Sequence, residues 1–156
     1  MTEADRPFTF IFMDLVPNAA TTSLTPRTHF KYYLLCVCRF SRRPFLYGLR
    51  HLDVSGVLEG LQAFCVRFGK TSGEFGFLDI ERVQADAGPQ FTSPEFKQAA
   101  LAAGFRLTLA APRHQEQNAY CERTWQTVRN IAFSMMNFAR VGQQYTHFAL
   151  QYAVDH

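Results

Sequence analysis

No stretch of this sequence is apolar for the roughly 18 to 20 residues that a membrane-crossing helix needs. The opening Met1-Thr-Glu-Ala-Asp-Arg likewise lacks the charged-then-apolar layout of a signal peptide. The expectation from both absences is a soluble intracellular protein. Cysteine is sparse: Cys36, Cys38, Cys65 and Cys121 include no CxxC pair, and the five histidines stand nowhere near them at zinc-ligand spacing. That pattern argues against a structural zinc and against a disulfide framework. A large excess of one charge is absent too, since 16 Lys and Arg against 13 Asp and Glu leave a net +3. So slight an excess permits a nucleic-acid partner without announcing one. Internal repeats and low-complexity tracts are also missing.

What is present is a chain of 156 residues with 47% hydrophobic and 19% charged residues. This argues against disorder and suits a single domain, 1–156, with one substantial core, in keeping with a core excised from a longer polyprotein. The 16 phenylalanines weight the composition toward core and strand positions.

Residues 7–15 are apolar on both alternating faces, as in a strand covered on both sides, with Asp14 near the end. A loop rich in Pro, Asn, Thr and Ser follows at 17–29, then strands at about 30–40 and 44–50 joined by the polar turn Ser41-Arg42-Arg43-Pro44. Cys36 and Cys38, two apart, share one strand face as small hydrophobes. From Asp53 the period becomes helical: Val54, Val57, Leu58, Leu61, Cys65 and Phe68 fall on one side, with Asp53 as N-cap and Gly69 as stop. A strand is expected at 80–86, and a helix starting at Thr92-Ser93-Pro94-Glu95, with a capping-box Glu, and ending at Gly104. Phe105–Leu109 reads as a fifth strand. Residues 118–140 form one long helix with the stripe Cys121, Trp125, Val128, Ala132, Met135 and Ala139, and Tyr145, Phe148, Ala149, Tyr152 and Ala153 mark a last one. Three strands in hairpin order followed by alternation with helices predict an α/β fold, a mixed five-stranded sheet flanked by helices.

Three acids stand in unusual places. Asp14 interrupts an apolar strand, where an uncompensated carboxylate would cost roughly 2–7 kcal/mol or more. Asp86 ends another expected strand just before Gly88, and Glu122 sits in the first turns of the long helix, one position off its apolar stripe. Each has an ordinary reading when taken alone: a cap or ion-pair partner for Asp14, a turn for Asp86-Ala-Gly, a solvated helix face for Glu122 with Gln126 and Arg129. Together they can meet at one rim of the sheet. Three clustered carboxylates repel unless a cation lies between them. Hard oxygen ligands select Mg²⁺ or Mn²⁺, and two such ions can serve the attacking and leaving oxygens of a displacement at phosphorus.

Between Asp86 and Glu122 lie 35 residues, the separation that names the D,D(35)E signature. Asp14-Leu15-Val16-Pro17 resembles the first-strand motif of retroelement integrases. The segment Gln84-Ala-Asp86-Ala-Gly88-Pro-Gln-Phe91-Thr-Ser93-Pro-Glu-Phe96 resembles the family's Asp-Asn-Gly-x-Glu-Phe-x-Ser, and Gln117-Asn118-Ala119-Tyr-Cys-Glu122-Arg123 its Gln-Asn-Gly-x-x-Glu-Arg. The text after Glu122, Ile131-Ala-Phe-Ser-Met-Met, is similar to that of copia-type LTR retrotransposons. The resemblance covers about 8–155. Ala87 stands for the family's Asn, Gln90 for Glu, Gln115 for Pro and Ala119 for Gly, none of them an expected metal ligand.

The resemblance implies a ribonuclease-H-like fold, two Mg²⁺ or Mn²⁺ ions at Asp14, Asp86 and Glu122, and two phosphoryl transfers: 3′-end processing of element DNA and strand transfer into target DNA. DNA and a homodimer or higher homo-oligomer are the implied partners, in the nucleus of a eukaryotic host or otherwise in the cytoplasm. For DNA contact the helix geometry offers Asn118, Gln126 and Arg129 on the face of Glu122, with Arg113, His114 and Arg123 flanking the helix start. Arg39, Arg42, Arg43 and Arg50 read as a second basic cluster, a solvated face or subunit contact. Two alternatives stay open: a bacterial insertion-sequence transposase core, and a non-catalytic domesticated integrase fold kept for DNA or protein binding.

Overall fold

The computed structural model describes residues 9–17, 30–68, 80–103, 106–109 and 115–156, leaving aside the side chains at 65, 68, 103 and 115–118. The strands are β1 (Phe10–Pro17), β2 (Tyr32–Cys38), β3 (Pro44–Leu49), β4 (Arg82–Ala85) and β5 (Arg106–Leu109). The helices are α1 (Val54–Phe68), α2 (Pro89–Thr92), α3 (Pro94–Ala103), α4 (Gln115–Ala139) and α5 (Thr146–Asp155), with a 3-10 turn at Gln143–Tyr145. Among the described residues no helix is long and apolar enough to cross a membrane.

The five strands lie in the order β3-β2-β1-β4-β5. The first three form an antiparallel meander, and β4 and β5 continue it in parallel to β1. This is the expected mixed sheet. Alternation along the strands sorts the core into two layers. Ile11, Met13, Leu34, Cys36 and Cys38 pack with Val57, Leu61 and Phe64 of α1 and Phe96 and Ala100 of α3. Phe10, Phe12, Val16, Tyr33, Leu35 and Val37 pack on the other face with Cys121, Trp125, Val128 and Ala132 of α4 and Leu150, Ala153 and Val154 of α5. Cys36 and Cys38 are therefore small core residues on one face, as expected.

Local chemistry explains several boundaries. Asp53 caps α1, its Oδ1 accepting from the Gly56 N–H at 2.8 Å. Ser93 caps α3 by accepting from the Phe96 N–H at 3.2 Å. That moves Glu95 one place short of the position a capping box needs. The short α2, unforeseen, follows from Pro89 at a first helical position. α4 begins at Gln115, three residues before the expected start. It ends at Ala139, and the left-handed backbone of the next residue, Arg140 (φ 55), lets the Val141 N–H reach the Met136 carbonyl at 3.1 Å.

Two expected stripes shift. Met136 rather than Met135 is the fully buried residue in the fourth turn of the α4 stripe, and Ala139 is exposed. On α5 the buried residues are Thr146, Leu150, Ala153 and Val154, while Tyr145, Phe148 and Tyr152 face outward. The aromatic side chains of that segment had suggested the opposite face. Phe138, 93% exposed, likewise departs from the expectation that phenylalanine marks core.

α5 is tied to the sheet by His147, whose Nδ1 lies 3.1 Å from the Tyr33 hydroxyl, with its ring stacked on that of Tyr33. Burial holds the imidazole below its ordinary 6.5, favouring the neutral form. The stability from this group is thus complete above pH 6.5 and lost as pH falls through its lower folded-state value. Denaturant titrations from about pH 8 to 5 should show wild type losing stability relative to His147→Gln on the acid side. Parallel profiles would contradict this.

Candidate active site

β1 and β4 are paired in parallel only as far as Met13 opposite Ala85. The next residues on the two strands are Asp14 and Asp86, so both acids follow directly on the last paired position, and the charge of Asp86 bears on the Asp14 carboxyl. β1 itself continues beside β2 to Pro17. Asp14 therefore lies inside its strand, not at its end, at the point where β4 turns away. Open α/β sheets bind ligands outside the carboxyl ends of their parallel strands, and Asp14 and Asp86 stand at that end of the β1–β4 pairing.

Alternation gives Asp14 the same face as Phe10, Phe12 and Val16, the face that α4 covers. There the Phe12 and Tyr120 rings stack, 4.9 Å between centroids and 12° apart. Cys121, the next residue, is buried among them. Its thiol is pushed well above the usual range by burial first, and then by the negative charges of Asp14 and Asp86. Glu122 follows directly, exposed on the same side of the sheet.

The Asp14 carboxyl is raised from 3.8 to about 6, through burial first, then repulsion from Asp86, with Glu122 adding a smaller repulsion. The Leu15 N–H, donating to Asp14 Oδ1 at 2.8 Å, opposes the rise. Asp86 is held by a turn of its own, Oδ1 accepting from the Gly88 N–H at 3.1 Å. A Cβ at Gly88 would meet that oxygen at 3.0 Å, so glycine keeps the space beside the carboxylate open. All three acids thus act on one region. Asp14 and Asp86 are neighbours, and Glu122 is the more loosely coupled. Among the described residues no three His, Cys, Asp or Glu side chains are gathered tightly enough to coordinate one ion.

A raised carboxyl reverses the usual acid behaviour. The stability it confers is complete below pH 3.8 and lost as pH rises through about 6, because the folded state resists ionisation. In chelator at about pH 7.5, Asp14→Asn should therefore stabilise the protein, by about 1–3 kcal/mol, since its amide oxygen can keep the Leu15 bond. Urea melts check this, and a less stable variant would contradict it.

The other residues expected at the site are scattered in status. Gln126 and Arg129 are exposed one and two turns beyond Glu122. Arg123 is exposed too, but with α4 starting at Gln115 it lies two turns inside the helix, not at its start. Arg113 and His114 lie outside the described residues, as does the Asn118 side chain. The four-arginine cluster is not one cluster. Arg50 sits at the far end of β3 from Arg42 and Arg43. Arg39 and Arg42 lie over aromatic rings, 4.9 Å from the Phe10 centroid and 4.1 Å from that of Tyr120. Missed altogether were Tyr120, between Arg42 and Phe12, and Gln84, buried beside Phe12 on the acid-bearing face.

No protein-family model and no curated protein sequence matches the chain. Solved structures do. A chain of the simian T-cell lymphotropic virus intasome in complex with PP2A regulatory subunit B56 gamma superposes with a TM-score of 0.73 at 17% identity, over 96% of this chain and 48% of that one. This chain thus spans about half the length of that relative. The HTLV-2 integrase catalytic core domain in complex with magnesium, a dimeric form, gives 0.67 at 14% identity, over 95% of this chain and 84% of that one. The catalytic core domain of BIV integrase gives 0.67 at 14%, over 94% and 81%. With its five-stranded mixed sheet and flanking helices, the chain has the ribonuclease-H-like fold of retroviral integrase catalytic cores.

Proposed function

We propose that this chain is the catalytic core of a DNA integrase, a polynucleotidyl transferase that processes the 3′ ends of element DNA and joins them to target DNA. The observation that carries the reading is that Asp14 and Asp86 both come immediately after the last paired position of the parallel strands β1 and β4, with Glu122 on the same side of the sheet and the charges of Asp86 and Glu122 acting on the Asp14 carboxyl. This all-oxygen donor set fits Mg²⁺ or Mn²⁺, and the repulsion that keeps Asp14 partly protonated near neutral pH is what a divalent cation would relieve. The HTLV-2 core, a fold neighbour, was obtained with magnesium.

Two such ions, when bound, would supply Lewis-acid activation of the attacking oxygen and charge stabilisation at the leaving oxygen. The protein's own contribution is position. Asp14 is fixed by the Leu15 N–H and Asp86 by the Gly88 N–H. Glu122, exposed on a free side of α4, has the rotamer freedom to swing toward the two strand-borne acids. Gln126, Arg129 and Arg123, with Asn118, Arg113 and His114 nearer the helix start, are proposed to hold DNA phosphates, which orients the scissile bond without reading much sequence. The nucleophile is water in the processing step and the freed 3′-hydroxyl in the joining step, so no covalent enzyme intermediate forms.

The copia-type wording after Glu122 favours a retrotransposon origin over an insertion-sequence transposase. It also suggests action in the nucleus, as a dimer or larger assembly on DNA. Incubating the chain with short labelled duplexes and Mg²⁺ tests the activity. Cleaved and joined products that vanish in chelator and in Asp86→Asn are expected. Product formation indifferent to both would refute the assignment. No product together with no metal binding would favour the non-catalytic fold.

A further inference from the structure

Three arginines converge at the end of the molecule away from the acid-bearing rim. An open cleft of about 540 Å³ is lined by Arg42 and Arg43 of the β2–β3 turn, by Arg123 and Thr127 of α4, and by Asp155 and His156 at the end of α5. Among the described residues, Asp155 is the one acidic side chain lining it. Cations gathered around one cleft favour an anion between them. Arg42 is also prepared in advance. Its backbone is left-handed, φ 60, a conformation costing a non-glycine residue roughly 1–2 kcal/mol. Its guanidinium lies 4.1 Å from the Tyr120 ring centroid and donates from Nη2 to the Tyr120 hydroxyl at 3.2 Å. Glycine would remove the strain, so what arginine brings here is its side chain. A guanidinium held over a ring and tied to its hydroxyl leaves its remaining donors for phosphate oxygens.

We propose that this cleft anchors a backbone phosphate of duplex DNA at a point separate from the acids. The β2–β3 turn meets the amino end of β1, where the Arg39 N–H donates to the Phe10 carbonyl at 2.9 Å. Asp14 lies four residues along the same strand, roughly 13 Å away at about 3.3 Å per residue. That distance equals about four base steps of a duplex strand. α4 bridges the two points, carrying Glu122 toward the acids and Arg123 toward the cleft on consecutive residues. One duplex laid along α4 would engage both. The inference extends the proposed function, but it makes its own claim about binding.

The test is fluorescence anisotropy of the whole chain with a short labelled duplex in chelator, across a KCl series. The Arg43→Gln, Arg123→Gln double variant should bind about 5- to 10-fold more weakly, and its salt slope should shrink by about one, at roughly 0.9 per phosphate contact. Arg42→Gly should fold at least as stably, since its strain is gone, yet lose affinity about 3-fold or more. Folded variants with unchanged affinity and slope would overturn the anchor. So would an acidic peptide that binds more tightly than the duplex with the same dependence on Arg43 and Arg123, or inorganic phosphate that shifts the arginine Nε resonances where the duplex does not. Wild type that forms no Mg²⁺-dependent product while these binding losses persist would overturn the proposed activity and leave the anchor standing. Normal products with an unaltered salt slope would overturn the anchor alone.

Discussion

Glu122→Gln is expected to lower Mg²⁺-dependent cleavage and joining by about 10²–10³-fold or more, the range found when one preorganised charge-stabilising group is removed, while leaving the fold untouched. Glu122 is exposed on α4, and glutamine keeps its length and helix propensity, so stability should move by no more than about 0.5 kcal/mol. What changes is charge. With Glu122 neutral, Asp14 loses one source of repulsion, so its carboxyl should fall from about 6 toward its ordinary range. Repulsion from Asp86 outweighs that from Glu122, so Asp86→Asn should lower it further. Turnover against carboxyl titration, measured on the same three proteins, separates a catalytic role from a structural one. A variant that keeps wild-type activity while the Asp14 titration shifts would remove Glu122 from the chemistry.

Trp125→Ala should be the most damaging single change to stability, about 3–5 kcal/mol. For a chain of this size that is a fall in Tm of roughly 6–20 °C. Trp125 is 8% exposed and lies in the face of α4 that covers β1 and β2, its ring 6.2 Å from that of Tyr33. α4 carries Glu122 less than one turn upstream. Loosening this contact should therefore reduce activity more than a comparable cavity on the opposite face, such as Phe64→Ala against α1. Circular dichroism melts and cleavage rates of the two variants, compared at a temperature where both are folded, test this. Equal residual activity would mean that α4 is positioned by something other than its packing on the sheet. Trp125 is the only tryptophan, so in wild type its fluorescence reports the same contact directly.

Much of this was legible in the sequence because the rules involved are local. Strand alternation, the period change at Asp53 and the Pro94 start mark elements through φ/ψ preference and hydrogen bonding within a few residues. Asp14 and Asp86 stood out because a carboxylate in or beside an apolar strand needs a reason. Their adjacency depended on the register of β1 against β4, which the spacing of acids suggested only through a family resemblance. The fold of that family is now seen in the chain, whereas the roles of the three acids rest on the proposal.

What stayed hidden depends on distance along the chain. Arg42 and Tyr120 are 78 residues apart, and nothing near either of them signals a cation over a ring. The left-handed backbone of Arg42 is equally silent, since glycine or asparagine is the usual marker. The α5 stripe was misjudged because aromatic residues fit both a core and an exposed surface, and only the position of the sheet decides between Leu150 and Phe148. The short α2 is too brief for periodicity to detect.

The claim on which all of this depends is that Asp14, Asp86 and Glu122 serve one divalent-metal pocket. The most direct measurement is paramagnetic broadening of the carboxyl carbon resonances by substoichiometric Mn²⁺, in wild type and in each single amide variant. Broadening of all three carboxyls, reversed by excess Mg²⁺ and weakened by any one substitution, is the result predicted. Broadening centred on other acids, or affecting the strand-borne pair while the Glu122 signal stays sharp, would contradict it.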